Sequence, residues 1–185
     1  MKPTEELMKE HEAIKRMLSV LEQICKRIEQ GERLPSEKLT QILEFIKLFA
    51  DQCHHGKEED LLFPAMIKAG FPKDGGSIAV MLHEHVIGRN AVKGMAEAIF
   101  KYKQSNLAIP ESFIENARTY IQLLHQHIDK EDNILYPLAN QHLSLQAQQD
   151  LLEQFERVER EVIGVGIHEK FHELLQHLEE EFLEN

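Results

Sequence analysis

The chain has 185 residues, with 32 Asp or Glu against 21 Lys or Arg and a formal charge of −11 at neutral pH. That length suits one domain with a small appendage, able to bury a core without disulfides; the two cysteines, Cys25 and Cys53, are too few for a disulfide framework. The acidic balance argues against nucleic acid and anionic membranes as partners. No apolar run is long enough to span a bilayer, and Met-Lys-Pro-Thr-Glu-Glu at the start offers no apolar signal core, so the expectation is a cytoplasmic protein.

Periodicity is helical nearly throughout. The first helix is predicted from Thr4 to Gln30, with Leu7, His11, Ile14, Leu18, Leu21, Cys25 and Ile28 facing inward and Gly31 as its stop. A second runs from Ser36 to Gly70, where Gly70–Gly76 forms the clearest loop. The third covers Ser77–Tyr102, with Ile78, Leu82, His85, Val92, Met95 and Ile99 on one face. Pro110 opens a fourth, reaching about Asn140, with Phe113, Ala117, Tyr120, Leu124, His127, Glu131 and Ile134 in its stripe. A shorter helix starts at Ser144, and Gly164-Val165-Gly166 breaks the chain before a last helix from Ile167 to Leu183. The expected fold is all-α: an antiparallel up-down four-helix bundle over residues 1–142, with a C-terminal helical extension, 143–185, packing on it.

Eleven histidines in a chain without tryptophan need an explanation, and they are dispersed. An internal repeat organises them. His54-His55-Gly56-Lys57-Glu58-Glu59-Asp60-Leu61-Leu62-Phe63-Pro64 matches His127-Ile128-Asp129-Lys130-Glu131-Asp132-Asn133-Ile134-Leu135-Tyr136-Pro137 at an offset of 73, and Glu10-His11 matches Glu84-His85 at 74. His54 with Glu58, and His127 with Glu131, are spaced i, i+4 and share a helix face. Helical phase turns His54 and Glu58 inward and His55 and Glu59 outward; it favours His127 over His125 and His85 over His83. His142 and His177 are expected at the surface, and Glu179-Glu180-Glu181 reads as a solvated face. Carboxylates inside an apolar bundle need a cation or a proton. Imidazoles and carboxylates from four helices at one level suit a dinuclear centre of iron or manganese, with zinc as a further alternative. Phe63-Pro64 and Tyr136-Pro137 are expected to shape the helices just past the ligands.

The pattern of Glu10-His11, His54-x-x-x-Glu58, Glu84-His85 and His127-x-x-x-Glu131, with Phe63-Pro64 and Tyr136-Pro137, resembles the hemerythrin-like (HHE cation-binding) family over residues 4–140. The resemblance implies a four-helix bundle holding an oxo- or hydroxo-bridged di-iron centre with five His and two carboxylates. His11 and His54 would then serve one iron, His85 and His127 the other, with Glu58 and Glu131 bridging. Where oxygen-carrying members have His-x-x-x-His on the third helix, this chain has Met81 and Arg89 around His85, and Glu131 stands four after His127 rather than an Asp five after. One nitrogen is therefore sought elsewhere: His168 on the last helix is the first candidate and His172 the second. The implied function is binding of a small diatomic, O2 or NO, or handling of iron in sensing, storage or scavenging. An enzyme or repair factor acting on peroxide, NO or iron–sulfur clusters, and an interaction module with a structural metal such as zinc, are the alternatives.

Overall fold

The computed structural model describes residues 1–105, 107–164 and 166–183, with Val162 by its backbone alone. Among them the chain is all-helical, without strands, and no helix is long and apolar enough to cross a membrane. Helix α1 spans Pro3–Glu29. A continuous helical rod over 36–68 consists of α2 (Ser36–Phe45), a π-helical stretch π1 (Ile46–His55), a π turn π2 (Glu58–Leu62) and α3 (Phe63–Lys68). Helix α4 spans Ser77–Ser105. A second interrupted rod joins α5 (Glu111–Lys130), the π turn π3 (Glu131–Leu135) and α6 (Tyr136–His142). The C-terminal part holds α7 (Leu145–Val158), π4 (Glu159–Gly164) and α8 (Ile167–Phe182).

Local signals explain most ends. After α1, Gly31 takes φ +88°; its N–H reaches the Ile28 carbonyl at 2.9 Å and Glu32 N–H reaches Arg27 at 3.0 Å, the paired closure that a left-handed residue permits. Ser144 caps α7 by accepting from Ala147 N–H at 3.2 Å. Pro110 precedes α5 as its cap rather than opening it. Gly164 and Gly166 both take positive φ at the predicted break, and Val165 lies outside the described residues.

The long segments bury two apolar clusters. One holds Ala13–Cys25 positions of α1, Leu39–Ala50 positions of the first rod, Ala91–Ile99 of α4 and Phe113–Ile128 of α5. The other holds Leu7, then Leu62, Phe63 and Met66, then Ile78 and Met81, then Leu135, Tyr136 and Ala139, closed by Leu143, Leu151 and Phe155. Between them, on every long segment, lie the buried polar residues: His11; His54, His55 and Glu58; His85; His127 and Glu131. Successive segments traverse this polar layer in opposite order, from one cluster to the other and back.

The C-terminal helices lie against α1 and π1. Phe171 packs edge-on to Phe45 and Phe49, while Leu175, Leu178 and Phe182 are buried beside it. The acidic run is less solvated than expected: Glu179 pairs with Arg16, and Glu181 with Lys38 at 2.6 Å.

Candidate metal centre

The two proline motifs set the local backbone. A proline inside a helix has no N–H to give and its ring crowds the carbonyl four residues back. Here each proline follows a widened turn: Phe63 N–H bonds the Glu58 carbonyl and Tyr136 N–H the Glu131 carbonyl, five residues back in both cases. The widened turns begin at the two repeat glutamates, so the expectation that Pro64 and Pro137 shape the helix beside the site takes a definite form. The longer stretch π1 has no counterpart in α5, and it ends at His55.

The donors meet in two groups whose ligand atoms lie within 4.8 Å of one another: His55, Glu58, His85 and His127; and His11, His54 and Glu131. The glutamates link them. Glu131 turns one oxygen to His127 Nε2 and the other to His11 Nε2, both at 3.2 Å. Glu58 Oε2 lies 3.4 Å from His85 Nε2 and 3.9 Å from His54 Nε2, while its Oε1 accepts from the Tyr136 hydroxyl at 2.7 Å.

A ring of carboxylates behind the imidazoles fixes which nitrogen faces the centre. His11 Nδ1 donates to Asp132 at 2.7 Å, His54 Nδ1 to Glu10 at 2.8 Å, His85 Nδ1 to Glu59 at 2.6 Å and His127 Nδ1 to Glu84 at 2.9 Å. The ring obeys the sequence repeat: Glu10 and Glu84 correspond, as do Glu59 and Asp132. An acceptor at Nδ1 leaves Nε2 as a lone pair aimed inward, the arrangement metal-binding imidazoles adopt. Yet His85 Nε2 and His127 Nε2 face each other at 3.1 Å. Nε2 of His54 and His55, Oε2 of Glu58 and both oxygens of Glu131 are buried without a hydrogen bond. Converging lone pairs and carboxylate oxygens repel unless positive charge lies among them. The donor set fits metal cations.

Electrostatics point the same way. Burial opposes the imidazolium of His11, but the hydrogen bond to Asp132 and the nearby Glu131 carboxylate outweigh it and lift its pKa to about 9. Burial likewise opposes His85, and Glu58 and Glu59 lift it to about 9. For Glu58, burial would favour the neutral acid, but His54 and His85 hold its pKa well below the usual carboxylate range. His55 goes the other way: burial first, then the charge of His85, keep it a neutral imidazole. A field that draws protons so strongly draws metal ions for the same reason.

Six of the seven expected ligands, His11, His54, Glu58, His85, His127 and Glu131, are brought together. Two expectations are corrected. His55 is not a surface residue: it is 4% exposed, stacks on His85 with ring centroids 4.0 Å apart, and supplies the fifth imidazole. On a regular α-helix adjacent side chains diverge by a quarter turn or more; the wider turn of π1 lets His54 and His55 both face the centre. His168 does not reach this layer. It lies with Glu10 and Glu159, against Phe49, because α8 docks on the outer side of α1 and π1. His172 is exposed beside it. Glu59, expected outward, is the carboxylate behind His85 and also pairs with Arg89 at 2.8 Å. Tyr136, read only as a helix-shaping residue, also orients Glu58 and stacks on His11 at 5.5 Å. His83, His125, His142 and His177 are exposed as expected. Cys25 and Cys53 are free and buried, their thiol pKa values pushed up to about 12 by desolvation.

A model of the hemerythrin HHE cation-binding domain matches residues 2–139, which include every member of the two donor groups. Uncharacterized proteins of Mycobacterium bovis and Mycobacterium tuberculosis are 25% identical over 160 residues, covering 86% of this chain. The chain spans 62% of the length of those relatives. No solved structure matches. The extent of the family match, over the residues that build the polar layer, shows that the chain belongs to the hemerythrin HHE cation-binding domain family.

Proposed function

We propose that this chain is a non-haem di-iron protein that binds a small diatomic, O2 or NO, or handles iron. Residues 1–142 would form an antiparallel four-helix bundle and 143–185 an extension packed on it, a reading supported by the alternating order in which successive segments traverse the two apolar clusters. The carrying observation is the convergence of inward Nε2 atoms, His85 against His127 at 3.1 Å, on two buried carboxylates. His55, His85 and His127 would hold one ion, His11 and His54 the other, with Glu58 and Glu131 shared. Nitrogen and oxygen donors without thiolate suit iron, and also accommodate manganese or zinc.

A pair of ferrous ions in such a site supplies the electrons that reversible diatomic binding draws on. The protein's part is geometric and electrostatic. The half with two imidazoles, His11 and His54, would offer fewer protein donors to a bound ion and so more room for an added ligand. Tyr136 keeps Glu58 in place, and Leu7, Phe63 and Met66 close the layer on one side against water. Two free, buried thiols agree with a reducing cytoplasm, and the charge of −11 disfavours nucleic acid as a partner.

The test is anaerobic loading with Fe(II), followed by metal analysis and absorption spectroscopy. The expected result is about two irons per chain, visible bands on exposure to O2 or NO, and loss of most metal in Glu58→Ala and Glu131→Ala. A colourless protein that takes up zinc stoichiometrically and gives no spectral response to either gas would replace this reading with a structural metal.

A further inference from the structure

The two halves of the polar layer are backed differently. Behind His127, Glu84 pairs with Lys130, whose side chain is 35% exposed. Behind His54, the corresponding Glu10 pairs with Lys57, which is fully buried. Lys57 Nζ lies 2.6 Å from Glu10, 3.0 Å from Glu6 and 2.6 Å from Glu159, and 5.4 Å from the Phe155 ring. Glu159 and Phe155 belong to the C-terminal part of the chain, which thus reaches His54 through two intervening side chains. His168 completes a third His and Glu grouping with Glu10 and Glu159, but the Lys57 ammonium already supplies the positive charge there.

Resting on the di-iron reading, we infer that Glu159 is a positioning residue for the ion held by His11, His54 and Glu131, so that the C-terminal extension sets how tightly the second ion is bound. Glu10 must do two things at once: accept from His54 Nδ1 with one oxygen and from Lys57 with the other. Around Lys130 water screens the ammonium. Around Lys57 no solvent reaches, and only protein carboxylates can offset its charge. Without the Glu159 carboxylate, the ammonium draws harder on Glu10, weakens the hydrogen bond that orients His54, and places less compensated positive charge beside the cation. This half has two imidazoles against three in the other, so it holds the later-loading ion and is the more sensitive to such a change.

The experiment titrates the full-length, metal-free protein anaerobically with Co(II) and with Fe(II), reading stoichiometry, affinity and the Co(II) absorption spectrum. Wild type takes up two ions in two steps. Glu159→Gln, which preserves side-chain size, retains the first step and its spectrum but weakens the second about 10-fold or more, as loss of a supporting carboxylate does; Glu159→Asp restores it at least in part. Two wild-type steps in Glu159→Gln overturn the inference. So does parallel weakening of both steps, with a lowered urea midpoint of the metal-free protein, because that marks a general loosening of the fold. A wild-type chain that takes up no second ion sinks the di-iron reading itself, a failure visible before any variant is made.

Discussion

His55 and His168 exchange the roles that helical phase suggests, and the exchange can be measured. His55 Nε2 is buried without a hydrogen bond, and its Nδ1 has only a 3.4 Å contact to Asp51, which Arg89 holds more closely at 2.8 Å. The four repeat-related imidazoles all have tighter partners, between 2.6 and 2.9 Å. His55 is therefore the least firmly oriented of the five, and also the one with no repeat mate: Ile128 stands at the matching position. His55→Ala should cut retained iron after desalting, with affinity falling by about 10-fold or more. His168→Ala should leave iron content within error of wild type, because Lys57 and Glu10 stand between it and the centre. Equal losses in the two variants would contradict the assignment of the fifth nitrogen.

At the scale of elements, helix ends were legible because their causes are local. Gly31, Pro110 and Ser144 each act on neighbouring backbone groups, and the expected boundaries fall within a few residues of those found. The repeat made the inner donors legible as well, since Glu58 and Glu131 are the same position used twice. What escaped is what a fixed angle per residue cannot express. The π turns change that angle where the ligands sit, so His55 was assigned to the wrong face although Pro64 and Pro137 marked the disturbance, whereas Glu59 stays outside the imidazoles, behind His85. On α8 the residues Phe171, Leu175, Leu178 and Phe182 form a buried stripe, but where it docks is a long-range matter that periodicity does not carry; hence His168. The local signals yield a clean test. Gly31→Ala forces a side chain into φ +88° and should destabilise the protein by about 1 kcal/mol in urea titration. Gly31 ends α1 just after Ile28, the last side chain of that helix packed on the core, and lies far along the helix from His11, so iron stoichiometry should not change. A neutral stability effect would mean that the closure at Gly31 is not what ends α1.

The whole molecule is two apolar clusters with a charged layer between them, and that order decides how metal and fold depend on each other. The clusters are complete without the layer: aromatic side chains such as Phe45, Phe49 and Phe113 fill one, and Phe63, Tyr136 and Phe155 the other. The layer by itself is unfavourable, since it gathers carboxylates and inward lone pairs away from water. Protons taken up by imidazoles such as His11 relieve this in part; metal ions would relieve it more fully. Chelation should therefore leave far-ultraviolet dichroism almost unchanged while lowering the melting temperature. Each site filled at a thousandfold excess over its dissociation constant contributes about 4 kcal/mol, and for a chain of this size each kcal/mol is worth roughly 2–4 °C. Iron loading should thus raise the midpoint by roughly 8–16 °C for the tighter ion alone, read by calorimetry on stripped and reloaded samples. Collapse of helicity on chelation would show that the layer, not the flanking clusters, organises the fold. An unchanged midpoint would show that the ion has no preference for the native chain over the unfolded one, and the charge compensation of Glu58 and Glu131 would have to come from protons alone.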